Sequence, residues 1–167
     1  MKDLFLTLAR YHAWATRRLF EQVDALDESD YRRDAGLFFR SVHGTLNHLL
    51  VAEHGVWFER FAHGVSPKRR LDEEVETDRS RLRERLLEAA PRWLPLIESL
   101  PDERWTGVLD YHSTQGVAQS LPYAATLLHV FNHATHHRGQ ISAALTAMGR
   151  RELVLDLVAM LQAESRP

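Results

Sequence analysis

Apolar residues recur at spacings of three and four along most of this chain, a period that fits helices with one buried stripe and not the alternation of strands. From Leu4 to Leu26 the stripe is Leu4, Leu8, Tyr11, Ala15, Leu19 and Val23, and Asp27-Glu28-Ser29-Asp30 interrupts it. A second helix is predicted from Ser41, as N-cap, to Ala62, with Leu46, Leu49, Leu50, Glu53, Trp57 and Phe61 on one side and His63-Gly64-Val65-Ser66-Pro67 as its stop. A third is expected from Asp72 to Leu100, with an acidic first turn and with Pro91 and Pro95 kinking or splitting it near Ala90. Pro101 to Ser120 reads as an ordered connection with room for a short strand pair. A fourth helix is expected from Leu121 to Met148, N-capped by Ser120 and stopped by Gly149. A short last helix is expected from Arg151 to Gln162, with Leu153, Leu157 and Leu161 on one side. Four long helices with one longer connection imply an all-α fold, a four-helix bundle with a short extra C-terminal helix, in a single domain over residues 1–167.

Composition excludes several function classes. The formal charge of −2, with acids and bases interspersed, offers no basic face for nucleic acid. No apolar run reaches the ~18–20 residues of a membrane span, and the N-terminus carries no signal-peptide pattern, so a soluble cytoplasmic protein is expected. There is no cysteine, which excludes disulfides and any protein thiol as nucleophile or metal ligand.

The chemistry lies in the histidines, of which there are ten. The fourth helix carries His129, His133, His136 and His137. Four helical steps return a side chain to within ~40° of the same face, so His133 and His137 can grip one ion on adjacent positions. Spacing alone leaves this open, because His129 and His133 are also four apart and His136 lies near both stripes. A bare pair at this spacing also occurs by chance on solvated helices. The apolar neighbours Leu127, Leu128, Val130, Phe131 and Ile141 suggest a largely buried helix, where an unpaired imidazole needs a reason. His48, in the equally apolar Leu46-Asn47-His48-Leu49-Leu50, is a candidate third ligand if it faces the fourth helix; alone it reads as a satisfied core histidine. His12, His63 and His112 read as surface or loop residues, and His43 as solvated. Arg138 reads as a partner in an ion pair at the bundle edge, and Arg79, Arg81, Arg83 and Arg85 as a solvated face. Trp14, Trp57, Trp93 and Trp105 are core or interface anchors.

Three stretches resemble the DinB-like (DinB/YfiT) superfamily: Tyr11-His12-Ala13-Trp14-Ala15-Thr16-Arg17-Arg18-Leu19; Gly36 to Glu53 with Trp57 following; and His129-Val130-Phe131-Asn132-His133-Ala134-Thr135-His136-His137-Arg138-Gly139-Gln140-Ile141. The resemblance spans roughly residues 4–150. It implies an up-and-down four-helix bundle, a homodimer, and a three-histidine site for nickel, zinc or a similar divalent transition metal. His48, His133 and His137 fall on that triad, which leaves His129 and His136 as supporting residues.

Three neutral imidazoles would leave open positions on the ion, the arrangement of catalytic sites. The resemblance implies a metal-dependent S-transferase that uses a low-molecular-weight thiol as cosubstrate, in stress response or detoxification. A metal-dependent hydrolase is the alternative, and a non-catalytic metal-binding stress protein the third reading. For hydrolysis Glu53 is the one carboxylate to nominate on the His48 helix. Its position five residues on, ~140° around an α-helix, makes a supporting role more natural than that of a base.

Overall fold

The structure is a computed structural model and describes residues 1–151 and 153–165. Helix α1 (Lys2–Val23) is followed by the short α2 (Glu28–Arg32), whose cap Asp27 accepts from the Asp30 N–H. The second arm is continuous from Val42 to His63: α3 (Val42–Leu49), a π-helical segment (Leu50–Trp57) and α4 (Phe58–His63). Ser41 caps it as predicted, its hydroxyl accepting from the Gly44 N–H at 2.9 Å, and Gly64 ends it in the left-handed region at φ 65°. The third arm is α5 (Arg79–Ala89), a 3-10 turn at Ala90–Arg92 and α6 (Trp93–Ser99), so the predicted break falls at Pro91. After a 3-10 turn (Asp102–Thr106), β1 (Val108–His112) pairs antiparallel with β2 (Ala118–Pro122). Helix α7 (Tyr123–Ala147) and the short α8 (Leu157–Glu164) complete the four-helix bundle and its extra C-terminal helix.

The bundle is layered along its axis. One end packs Leu19, Val23, Leu46, Leu49, Leu82, Leu86, Ile141 and Leu145; the other packs Phe5, Phe58, Phe61, Trp93, Ile97, Leu127 and Phe131. Between them lies a buried polar layer of His12, Thr16, Glu53, His54 and Arg138. The order of these residues gives the directions. Arms one and two run oppositely, as do three and four, while two and three run the same way. Residues 64–78 therefore carry the chain back along the bundle.

That crossover explains why the third helix starts at Arg79 and not at Asp72. Asn47 engages the Glu76 backbone twice, donating to its carbonyl and accepting from its N–H, both at 3.0 Å. His48 takes the Leu71 carbonyl at 2.7 Å. Backbone groups committed to α3 are not free for a helical ladder, and Asp78, accepting from the Arg81 N–H, becomes the cap.

Other expectations shift. Leu4 is exposed and Phe5 takes the inward place. Helix α7 starts after Pro122, because Ser120 and Leu121 pair in β2. It is amphipathic rather than largely buried, with Leu128, His129, Asn132 and His136 outward. The last helix begins at Leu157, its buried residue is Met160, and Leu161 is exposed; of its predicted span, Glu152 lies outside the described residues.

Candidate metal centre

The structure brings His48, His133 and His137 together. His48 sits in the last turn of α3, and His133 and His137 lie one turn apart on α7. The Nε2 atom of His133 is 3.1 Å from that of His48 and 3.2 Å from that of His137. Imidazole nitrogens ~2.0–2.1 Å from a tetrahedral ion lie ~3.3 Å apart, so the spacing matches a shared ion. Each opposite nitrogen faces an oxygen: His48 Nδ1 faces the Leu71 carbonyl at 2.7 Å, His137 Nδ1 faces Gln140 Oε1 at 2.8 Å, and His133 Nδ1 faces Glu53 Oε1 at 3.4 Å. Carbonyl and carboxylate oxygens only accept, so the ring protons belong on Nδ1 and three Nε2 lone pairs point at one place. Burial lowers the pKa of His48 and of His137 to about 4, so both are neutral donors at neutral pH. The side chains of His48 and His137 are buried, while that of His133 keeps 18% of its surface and marks the open side.

Glu53 reaches His133 because of the π-helical segment. With i→i+5 hydrogen bonds, residues five apart come closer to one face than on an α-helix, which overturns the ~140° separation. The carboxylate lies behind the imidazole, not on the ion's open side.

Phe39 covers His48, its ring stacked at 3.8 Å and 17°. The turn that presents it uses Gly36 at φ 70° and Arg40 at φ 67°, and the Arg40 N–H donates to the Leu37 carbonyl. A cavity of about 540 Å³ beside it is lined in part by Phe38, Phe39, Asn47 and Glu74. Gly44 permits this packing, since a Cβ there would stand 2.2 Å from the Phe39 carbonyl oxygen. Gly44→Ala is therefore expected to displace the Phe39 turn and cost about 1–3 kcal/mol, the usual range for overpacking. The urea midpoint gives the cost, and hydrogen exchange at residues 36–41 locates the change.

The remaining histidines divide differently from the expectation. His129 and His136 are exposed; His129 packs near Trp57, and His136 Nε2 accepts from the Gln140 amide at 3.1 Å. His63 and His112 are exposed as expected. His43 is buried, bonded to the Tyr31 hydroxyl at 3.0 Å and to Glu74 at 2.9 Å. His12 is also buried and forms, with Glu53 and His54, a second group whose ligand atoms lie within 4.8 Å of one another. Arg138 is buried rather than at the edge, and Arg79 stacks on Tyr31 while donating to the Leu26 carbonyl. Trp93 and Trp105 are core residues. Sequence reasoning missed Gln140 and Leu71 as partners of the triad. Gln140, three residues after His137, was legible as a helical neighbour; Leu71 acts through its backbone and leaves no signal.

Burial, with Arg92 nearby, lowers the His54 pKa to about 3. The unfolded chain takes up that proton near pH ~6.5, so below this the unfolded state binds more protons. The His54 contribution is whole above that pH and is lost as pH falls toward 3. Metal-free protein is expected to show falling urea midpoints from pH 7 to 4, with a shallower slope in His54→Leu. Equal slopes in the two proteins would remove His54 as the cause.

A family profile described as "DinB family" matches residues 1–166. The chain is similar to Protein DinB of Bacillus subtilis (strain 168), at 24% identity over 155 residues, covering 89% of this chain and 88% of the relative. It also resembles the structure of YfiT from Bacillus subtilis, described as a probable metal-dependent hydrolase with an unusual four-helix bundle topology. There the TM-score is 0.66 at 18% identity, over 90% of this chain and 89% of that one.

Proposed function

The chain belongs to the DinB family, and from that premise we propose that it is a metal-dependent enzyme that joins a low-molecular-weight thiol to an electrophile, in stress response or detoxification. His48, His133 and His137 hold one divalent transition-metal ion, zinc or nickel. The observation that carries this reading is the convergence of three Nε2 atoms whose opposite ring nitrogens all face oxygen acceptors. Three lone pairs facing one another in a partly buried site repel unless a cation sits among them. A bound ion supplies Lewis acidity at its open positions, enough to keep a thiol deprotonated. Leu71, Gln140 and Glu53 fix the rings, and Phe39 keeps water from the His48 side. The chain has no cysteine, so the thiol comes from a small molecule. Glu53 stands behind His133, which suits a reaction that requires no carboxylate base on the open side.

The test reconstitutes untagged protein with zinc or nickel and offers bacillithiol, mycothiol or glutathione with a panel of electrophiles. Turnover that needs both ion and thiol, and is lost in His133→Ala, is the expected result; its absence across the panel sinks the transferase. Hydrolysis is the second reading, favoured by the description of the YfiT fold neighbour. Thiol-independent cleavage of esters or amides, lost in the same variant, would select it. Bound metal without turnover of either kind leaves a non-catalytic metal-binding stress protein.

A single domain over residues 1–167, a cytoplasmic location and a homodimer belong to the same proposal, with a small molecule as substrate and neither nucleic acid nor membrane as partner. Among the described residues no helix is long and apolar enough to cross a membrane. Leu4, Leu128 and Val158 leave apolar surface exposed on α1, α7 and α8. Light scattering should give twice the 19.3 kDa chain mass.

A further inference from the structure

The polar layer at mid-bundle holds more than the triad requires. His12, Glu53, His54 and Arg138 are each buried to 6% exposure or less, and come from three different arms. His12 Nε2 and both ring nitrogens of His54 lack a hydrogen-bond partner. Three buried ligand atoms within 4.8 Å of one another suggest a second metal site, and the protonation pattern argues against it. Arg138 Nη1 lies 3.2 Å from His12 Nδ1. A guanidinium only donates, so His12 Nδ1 accepts and the ring proton sits on Nε2. That nitrogen lies 3.7 Å from Glu53 Oε2, and with the proton on it no lone pair is left there for an ion. The permanent charge of Arg138 stands alongside, and in a dry layer it calls for a counter-anion and opposes a second cation.

We propose that Arg138 and His12 act through Glu53 as positioning residues for His133, setting its tautomer and ring orientation and thereby its strength as a metal ligand. The order runs from Arg138 to His12 Nδ1, from His12 Nε2–H to Glu53 Oε2, and from His133 Nδ1–H to Glu53 Oε1, leaving His133 Nε2 free toward His48 and His137. The His12–Glu53 separation is longer than a hydrogen bond, so this link acts as an electrostatic contact, strengthened by the dry surroundings of both groups. The carboxylate thus has an N–H toward each oxygen, and the cationic end of the relay lies on the side away from the open face. An outer partner of this kind is worth about 10–100-fold in metal affinity.

This inference rests on the metal reading, and the experiment separates the two. Histidine 15N spectra of the metal-free protein report tautomers with no ion present; His133 is expected as Nδ1–H and His12 as Nε2–H. Cobalt(II) is then titrated into wild-type protein, Glu53→Gln and His12→Phe, with affinity from a competing chelator and site geometry from the visible absorption. In Glu53→Gln the amide presents a donor to the His12 Nε2–H or to the His133 Nδ1–H, so one link is lost at nearly constant volume. His12→Phe keeps a ring against Phe131 and His54. Both variants are expected to bind one cobalt about 10–100-fold more weakly than wild type, with a shifted spectrum and a mixed His133 tautomer. Wild-type protein that binds no cobalt would end the metal reading, while the tautomers still judge the relay. Unchanged affinity and tautomer in the variants would overturn the relay, as would a second cobalt per chain lost in His54→Leu. Should His12→Phe fail to fold, Glu53→Gln and the wild-type tautomers carry the test.

Discussion

Replacing His133 with alanine is expected to abolish metal binding and, with it, the whole of the stability that metal adds. His133 is the shared corner of the triad, its Nε2 within 3.2 Å of both partners. Without it, His48 and His137 alone face the ion. Metal that binds the folded state only, at a thousand times its Kd, raises stability by about 4 kcal/mol, which is roughly 8–16 °C in Tm for a chain of this size. Chelator should reverse that gain in the wild type, and the variant should show neither gain nor loss. The metal-free comparison isolates the side chain itself. Alanine removes one of three mutually repelling lone pairs and is the better helix former, but it also takes an N–H from the buried Glu53 carboxylate, so the two metal-free proteins are expected to differ little in stability. A histidine held there for packing alone would give the reverse pattern: a destabilised variant and no response to metal in either protein. Differential scanning fluorimetry with zinc or nickel and with chelator, beside metal analysis by mass spectrometry, decides between them.

Trp93→Ala is expected to be the most destabilising single change outside the site, costing about 3–5 kcal/mol as buried aromatic truncations do, or roughly 6–20 °C in Tm. Trp93 is fully buried where the third arm meets the second and fourth. Its ring lies edge-on to Phe58 at 5.1 Å and contacts Phe61 and Phe131 at 6.0 and 5.9 Å. These neighbours belong to the two arms that carry His48 and His133, and Phe131 is two residues before His133. The cavity therefore opens in the layer that sets the spacing between those arms. Chemical denaturation measures the cost, and a loss within ±0.5 kcal/mol of zero, the range of ordinary surface changes, would show that this layer does not hold the arms together.

Much of the fold was legible along the chain because helices are local. The stripe Tyr11, Ala15, Leu19, Val23 faces the core, Ser41 caps α3, Gly64 ends α4, and Pro91 breaks the third arm where a missing N–H must. The errors lie where distant groups compete for the backbone. Residues 72–78 carry helix-favouring acids, yet Asn47 from another arm engages the Glu76 backbone, His48 takes the Leu71 carbonyl just before it, and no helix forms until Arg79. Ser120 was a reasonable cap until β1 paired with it.

The triad divides in the same way. His133 and His137 are joined by helical spacing, so sequence could pair them, though it could not rank them above His129 and His133. His48 is 85 residues from His133; its apolar helix made it a candidate, and only the resemblance to a family placed it in the triad. What brings His48 opposite α7, puts Glu53 behind His133 through a π-helical shift and buries His12 beside Arg138 is the packing of four arms around a mid-bundle polar layer. Periodicity records which side of a helix is apolar. It does not record how far each helix slides against its neighbours, and that offset, fixed by the apolar clusters at the two ends, decides which polar side chains meet.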